Sequence, residues 1–389
     1  MKIAAVIAEY NPLHNGHLKL LKKVKREVKP EALVVVMSGS FTERGDICVA
    51  DKYTRAKWAV ECGADLVIEL PTVYTLSPAK SFAEGALKTL SMLGEFILCF
   101  GTETKELEEL AYVAEFMRSE SKDMRNMLRG YLSEGYSVAK SRTMALDLIH
   151  PDYANLVKAP NNILAVEYLK AGAAYGDKVQ YHSVERKPDN NRTIISSTKV
   201  RAMMQEGKDF SAFVPECVVI PHPTDMSKYG TVSTYSMRTK TAAELADIAN
   251  ISEGLENRIS KTDFNTFEEF LRLTTKRYTR STIKRIAASA TVGITKDLVA
   301  IARENKPYTT VLAANERKKK KLFALLAASD GYFYFKPSDC PADSPVRPLI
   351  DLDERAAKVL RLCRADEKPK GAANDQTEEQ TSQNDNINS

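Results

Sequence analysis

Two of the chain's five histidines lie three residues apart, in Ala8-Glu9-Tyr10-Asn11-Pro12-Leu13-His14-Asn15-Gly16-His17, directly after the apolar run Ile3-Ala4-Ala5-Val6-Ile7. The run reads as a buried parallel strand. Pro12 ends it. Apolar residues at 18, 21 and 24 then mark one face of a helix that starts near His17. An H-x-G-H sequence between a strand and a helix suits attack on the α-phosphate of a nucleotide with loss of pyrophosphate. The helix N-terminus offers unpaired N–H groups and a positive dipole end to phosphate oxygens. Gly16 leaves room for the approach, and two imidazoles can donate to phosphate oxygens as charge builds. Two histidines alone could do no more than cap a turn; their place between strand and helix favours the nucleotide site.

A second segment, Ile195-Ser196-Ser197-Thr198-Lys199-Val200-Arg201, has hydroxyls that can cap a helix and face a phosphate at the same terminus. Lys199 and Arg201 add positive charge beside a leaving pyrophosphate. Read alone, it is a plain Ser/Thr N-cap. Three further segments follow strand-like runs or open a helix. Ser38-Gly39-Ser40-Phe41-Thr42-Glu43-Arg44-Gly45-Asp46 is either a phosphate or acceptor loop or a polar connection. Gly101, in Phe100-Gly101-Thr102-Glu103, would let a base or ribose approach the backbone. Asn161 or Asn162, in Pro160-Asn161-Asn162-Ile163-Leu164, either caps a helix or binds the nucleotide.

The elements that position these residues show a rhythm. Apolar runs at 3–7, 32–37, 65–70 and 96–101 alternate with amphipathic stretches such as 51–62 and 79–93, and 179–186 alternates like a further strand. This is a βαβ pattern, an α/β fold with a parallel sheet covered by helices. Ligands bind beyond the C-terminal ends of such strands. Residues 105–176 read as a helical insertion before the last strand, and Pro215, Pro221 and Pro223 mark a boundary. Residues 240–330 read as helices. The expected organisation is therefore a catalytic domain over 1–220, a mainly helical basic region over 221–365, and a tail over 366–389. The tail is rich in Asn, Gln, Glu and Ser and is expected to be disordered and dispensable.

The 389 residues carry a net charge of +5. The tail holds −4, so the body holds +9, which suits a polyanionic partner as well as it suits ordinary solubility. Lys276, Arg277, Arg280, Lys284 and Arg285 form a basic run, and Arg317 to Lys321 a second. No hydrophobic stretch approaches the roughly 18 residues of a membrane span. No signal peptide is read at the N-terminus, and six cysteines without C-x-x-C spacing suggest a reduced, cytoplasmic setting with no metal site.

H-x-G-H with I-S-S-T-x-x-R resembles the nucleotidyltransferase superfamily related to class I aminoacyl-tRNA synthetases. The longer matches, Ala8 to His17, Ser38-Gly39, Gly63 to Pro71, Cys99-Phe100-Gly101, Pro160 to Leu164 and Lys276-Arg277-Tyr278-Thr279-Arg280, resemble the bacterial tRNA(Met) cytidine acetate ligase family. The resemblance runs from residue 1 to about 360 and is strongest through 201. It implies a Rossmann-like nucleotidyltransferase core and a two-step reaction. Acetate attacks ATP to give acetyl-adenylate and pyrophosphate, and the acetyl group then passes to N4 of the wobble cytidine of elongator tRNA(Met).

The resemblance further implies His14, His17, Lys199 and Arg201 as catalytic residues. It implies an ATP site of Ile7, Ala8, Glu9, Tyr10, Asn11, Pro12, Leu13, Asn15, Gly16, Leu18, Lys19, Leu20, Gly101, Asn162, Arg186, Ser196, Ser197 and Thr198. Magnesium is expected with the ATP, and the basic run from Lys276 is expected to bind tRNA; no protein partner is evident. Asn11 stands where many small-molecule nucleotidyltransferases carry Asp. Lys187-Pro188-Asp189-Asn190-Asn191 departs from the stretch expected after Arg186. Two other readings share the motifs: an adenylyltransferase acting on a small phosphate ester, and a non-enzymatic RNA-binding factor with a vestigial nucleotide site.

Overall fold

A computed structural model describes residues 1–104, 106–119, 121–186, 194–252 and 254–365. The tail and the 187–191 departure lie outside the described residues. The anticipated strands form: β1 (Ile3–Ala8), β2 (Ala32–Ser38), β3 (Leu66–Leu70), β4 (Phe96–Thr102) and β5 (Val179–Glu185). All five are mutually parallel, in the order β5-β4-β1-β2-β3. Chain direction across the sheet reverses between β1 and β4. The crevice at their C-terminal ends is therefore the switch point where open α/β sheets bind ligands.

Each face of the sheet has its own core. On one side Leu21, Val24 and Val28 of α1 (Asn15–Val28) and Ala56, Trp58 and Ala59 of α2 (Lys52–Glu61) pack on Ala4, Val6, Leu33 and Val35. On the other, α3 (Ala79–Leu90) and α4 (Pro160–Gly172) pack on Ile3, Ala5, Val34 and Val36. The described residues 106–119 and 121–172 make up the helical insertion, which ends in α4. After β5 comes α5 (Ser197–Gln205), then a run of helices that includes α6 (Arg280–Val292), with a separate core around Phe270, Ile283 and Ile286.

The helical reading of 240–330 is corrected at its end. Tyr308–Ala314 is a strand, β6, antiparallel to β3, and Tyr332–Tyr334 is β7, parallel to β6. Thr309, Thr310 and Val311 favour a pleated surface, and β3 offers them an otherwise open edge. The Leu312-Ala313-Ala314 end masks this when the segment is read alone. The last helix, α7 (Arg347–Leu362), also returns to the sheet and brings Asp353 into the interior.

That return closes a buried charge cluster. Lys52 Nζ lies 2.6 Å from Glu69 Oε2, and Asp353 accepts the Thr72 N–H at 2.8 Å. Burial disfavours the Lys52 ammonium, but the Glu69 and Asp353 carboxylates outweigh it and hold its pKa up. Burial and then Glu69 push Asp353 up to about 7, against the pull of Lys52. Removing the cation leaves two buried acids unpaired, so Lys52→Met should lower unfolding free energy by about 3–5 kcal/mol in urea titrations. Native Asp353 binds its proton up to about pH 7, whereas an unfolded Asp releases it near 4. Its contribution is therefore fully present below pH 4 and lost as pH rises toward 7. Asp353→Asn should flatten that part of the stability–pH curve.

Candidate nucleotide site

The peptide after β1 carries the site. Tyr10 takes a left-handed φ of 48°, which is strained for a bulky residue, and the Asn11–Pro12 bond is cis. Arg55, fully buried on α2, holds this turn in place. It donates to the carbonyls of Glu9 at 2.6 Å, Ser38 at 3.0 Å and Ala50 at 3.0 Å, and to that of Gly39. Sequence reading missed Arg55 because nothing local distinguishes it from a surface helix arginine.

His14 and His17 both cap α1 and face the crevice. His14 Nδ1 accepts the Gly16 N–H at 3.0 Å, and His17 Nδ1 accepts the His14 N–H at 3.2 Å. The rings stack with centroids 3.8 Å apart, and Tyr10 meets His17 edge-on. Burial and then the Arg186 guanidinium lower His14 to about 4; burial, His14 and Arg186 lower His17 well below its usual value. Both imidazoles are therefore neutral at pH 7. Because each Nδ1 accepts, each Nε2 carries the hydrogen. The structure shows the turn-capping contacts, and they fix the tautomer that leaves each Nε2–H as a donor. A Cβ on Gly16 would lie 2.8 Å from the His14 ring. No acid occupies the first turn of α1, which leaves its dipole to an incoming anion.

The second motif docks on the first. Ser197 Oγ donates to the Pro12 carbonyl at 3.2 Å, and Arg201 Nη1 donates to that of Asn11 at 2.8 Å. Ser196 is the N-cap, accepting from the Lys199 N–H, and Thr198 Oγ1 accepts from Arg201. Lys199 is exposed at this terminus. Two helix N-termini, α1 and α5, therefore meet at one crevice. Across it, Arg186 lays its stem over Gly101, where a Cβ would lie 3.3 Å from Arg186 Cδ, and its N–H binds the Thr102 carbonyl.

The remaining expected contacts divide. Ile7 and Ala8 end β1, Asn15 is partly buried and Lys19 is exposed. Tyr10 and Leu13 are core side chains, and Leu20 packs against the same core. Leu18 is partly buried. Asn162, 2% exposed, accepts the Glu103 N–H at 2.9 Å and so pins the turn after β4. Asn11 Oδ1 accepts the Val49 N–H, while its buried Nδ2 makes no hydrogen bond. A buried donor left unpaired costs about 1–3 kcal/mol, which a ligand oxygen would remove.

The basic run is split. Lys276 and Arg280 are exposed, Lys276 over the Tyr136 ring of the insertion and Arg280 paired with Glu268. Arg277 is half-buried. Lys284 and Arg285 point inward instead. Lys284 Nζ lies 2.6 Å from Asp46 Oδ1, and Arg285, 7% exposed, lies 2.9 Å from Glu43 Oε1. Both side chains are engaged by loop carboxylates and not directed outward like Lys276 and Arg280. They hold the 38–46 loop, which is thus more than a polar connection. Gly45, at φ +81°, fits so closely that a Cβ would lie 2.5 Å from the Arg285 nitrogen. In the second run, Lys318 pairs with Asp65 and Lys321 with Glu31.

Residues 1–375 match the family described as HIGH Nucleotidyl Transferase. A tRNA(Met) cytidine acetate ligase of Clostridium acetobutylicum is 32% identical, over 93% of this chain and 96% of that protein. The chain belongs to the tRNA(Met) cytidine acetate ligase family. A Thermoanaerobacter member is 33% identical over 83% of this chain and 85% of its own. Among solved structures, Thermotoga maritima TmcAL bound with alpha-thio ATP superposes with a TM-score of 0.84 at 27% identity, covering 92% of this chain and 95% of that one. The apo form gives 0.82 at 28% identity, covering 92% and 93%. The fold is the Rossmann-like nucleotidyltransferase core of this family, with a mixed sheet, a helical insertion and a helical C-terminal region. Among the described residues no helix is long and apolar enough to cross a membrane.

Arg186 is the exposed cation that acts on both histidines. Arg186→Ala should weaken ATP binding about 10–100-fold, the size of one or two charge-assisted hydrogen bonds. Calorimetry measures this, and thermal melting of the nucleotide-free variant should match wild type.

Proposed function

We propose that this chain activates acetate with ATP and transfers the acetyl group to N4 of the wobble cytidine of elongator tRNA(Met), releasing AMP and diphosphate. The observation that carries this reading is the stacked pair of neutral histidines. Their Nε2–H donors and two helix N-termini converge on one crevice at the sheet's switch point. Such a site stabilises charge that develops on a phosphate during attack at the α-phosphorus. Acetate is a weak nucleophile and gains mainly from being held in line. Arg186, Lys199 and Arg201 supply cations to the departing diphosphate. Magnesium suits the triphosphate oxygens; among the described residues no group of three or more His, Cys, Asp or Glu could hold a metal ion. The separate helical region, with no counterpart needed for a small phosphate ester, favours the tRNA substrate over an adenylyltransferase of small molecules.

The test is incubation of tRNA with the protein, ATP and labelled acetate, followed by nucleoside mass spectrometry. Labelled N4-acetylcytidine is expected. Its absence, with ATP–diphosphate exchange that depends on a phosphate ester and not on acetate, would favour the adenylyltransferase; no ATP turnover at all would favour the RNA-binding factor.

Two expectations follow from the geometry. His17→Ala, and more mildly His14→Ala, should slow acetate-dependent ATP–diphosphate exchange by about 100–1,000-fold, as loss of one such donor does. The tRNA surface is reduced to Lys276, Arg277 and Arg280. Lys276→Ala with Arg280→Ala should weaken tRNA binding and reduce the slope of log affinity against log salt by about 2, near 0.9 per lost phosphate contact. Exchange should stay at the wild-type rate.

A further inference from the structure

Acetyl transfer to an amine releases a proton, and the groups that serve the first half-reaction cannot take it. In both histidines Nδ1 is filled by a backbone N–H and Nε2 already carries hydrogen. Three acids of the described residues gather where the peptide after β1 meets the 38–46 loop: Glu9, Glu43 and Asp46. Glu43 is paired with Arg285 at 2.9 Å. Asp46 is paired with Lys284 at 2.6 Å and lies 3.8 Å from Arg201. Glu9 has no salt-bridge partner among the described residues. Its Oε1 accepts the Glu43 N–H at 2.7 Å, and its Oε2 makes no hydrogen bond among them.

We propose that Glu9 is the general base of the transfer step, its free carboxylate oxygen accepting a proton from the cytidine N4 amine. The proposal rests on the reaction assigned above. The amine attacks the carbonyl carbon of acetyl-adenylate, so the N–C bond forms. The C–O bond to the phosphate breaks, and AMP leaves with that electron pair. One N4 proton passes to Glu9, and water later removes it.

Three observations place Glu9 for this task. First, Glu9 follows the last residue of β1 at the C-terminal edge of the sheet, where its carboxylate lies near Tyr168 of α4 and accepts the Glu43 N–H. Second, the helical region reaches this edge. The loop whose N–H holds Glu9 is itself clamped to the first turns of α6, where Arg280 begins the exposed basic edge.

Third, its surroundings balance. Burial, opposed by the Glu43 N–H and then reinforced by the Glu43 charge, sets its acidity, with Arg44 and Arg201 pulling the other way; the outcome is about 7. Tyr168 of α4, its hydroxyl held protonated by burial and by Glu9 and Glu43, adds no charge. Arg55, on the Glu9 carbonyl, and Asp46, Cys48, Lys284 and Arg285 are further ionisable groups nearby. A base with an affinity near the working pH is the most effective proton acceptor.

The experiment measures two rates in the full-length protein: acetate-dependent ATP–diphosphate exchange, and single-turnover transfer of labelled acetyl to tRNA between pH 5.5 and about 9. Glu9→Gln keeps an acceptor for the Glu43 N–H and removes the base. Transfer, started from preformed acetyl-adenylate because the expected ATP site includes the Glu9 position, should fall about 100–10,000-fold and by more than any loss in exchange. Wild-type transfer should rise with pH to a plateau through an inflection near 7, and the variant should lack it. Glu9→Asp should transfer slowly but keep the inflection. This rescue separates a base from a purely structural carboxylate, and it serves alone should Glu9→Gln not fold. The proposal is overturned by Glu9→Gln transferring near the wild-type rate, by exchange and transfer falling together, or by an inflection that survives in Glu9→Gln or vanishes in Glu9→Asp. Failure of wild-type protein to acetylate tRNA at all is a different result and removes the reaction itself.

Discussion

The guanidinium of Arg55 is the constraint on which the site depends. It is fully buried, no carboxylate among the described residues forms a salt bridge with it, and it donates to four backbone carbonyls. Those carbonyls end β1, end β2 and begin the approach to α2, so one planar cation fixes three chain segments at the C-terminal edge of the sheet. A lysine is a point donor and cannot reproduce that fork. The strained turn at Tyr10 follows from this anchoring. Residues in sparsely populated backbone regions cost of order 1–3 kcal/mol and persist only where their surroundings over-determine them. Here Arg55 on the Glu9 carbonyl and Arg201 on the Asn11 carbonyl hold the turn from both sides. The histidine pair inherits its geometry from that turn.

What could be read from the sequence was what is local. Apolar runs gave β1 to β5, and H-x-G-H gave the start of α1, because period and capping are properties of neighbouring residues. Pairing of the two motifs was legible because both end at helix N-termini. Contacts between distant residues were not. Arg55, the Lys52–Glu69–Asp353 cluster and the clamp of Lys284 and Arg285 on the 38–46 loop span separations of up to a few hundred residues. Each involves charged side chains that composition assigns to the surface. β6 was lost for a related reason: Tyr308–Ala314 becomes a strand because β3 leaves it an edge, and the segment itself carries no turn signal. The two inward cations of the basic run show the limit most directly, since spacing places Lys284 and Arg285 on a helix but cannot say which face is covered.

The C-terminal region is bound to the catalytic core by more than a linker. β6 and β7 extend the sheet, α7 supplies Asp353, and α6 grips the loop after β2. A change at the outer edge of α6 therefore reaches the crevice through rigid parts: helix, loop backbone, Glu9. Buried ion pairs such as Arg285–Glu43 contribute little net stability, but breaking one is strongly unfavourable. They fix register rather than strengthen the fold.

The two half-reactions ask opposite things of their surroundings. Adenylation calls for donors without net charge loss, a task to which neutral histidines and helix dipoles are suited; transfer calls for an acceptor that is ionised part of the time. Glu9 and Tyr10 both lie beyond β1, which ends at Ala8, and the left-handed φ of 48° at Tyr10 breaks the strand's alternation. Tyr10 packs into the core beside α1, whereas the Glu9 carboxylate is held by the Glu43 N–H of the 38–46 loop. Arg55 on the Glu9 carbonyl and Arg201 on the Asn11 carbonyl fix that turn, so one short peptide sets the positions of the carboxylate and of the histidines together.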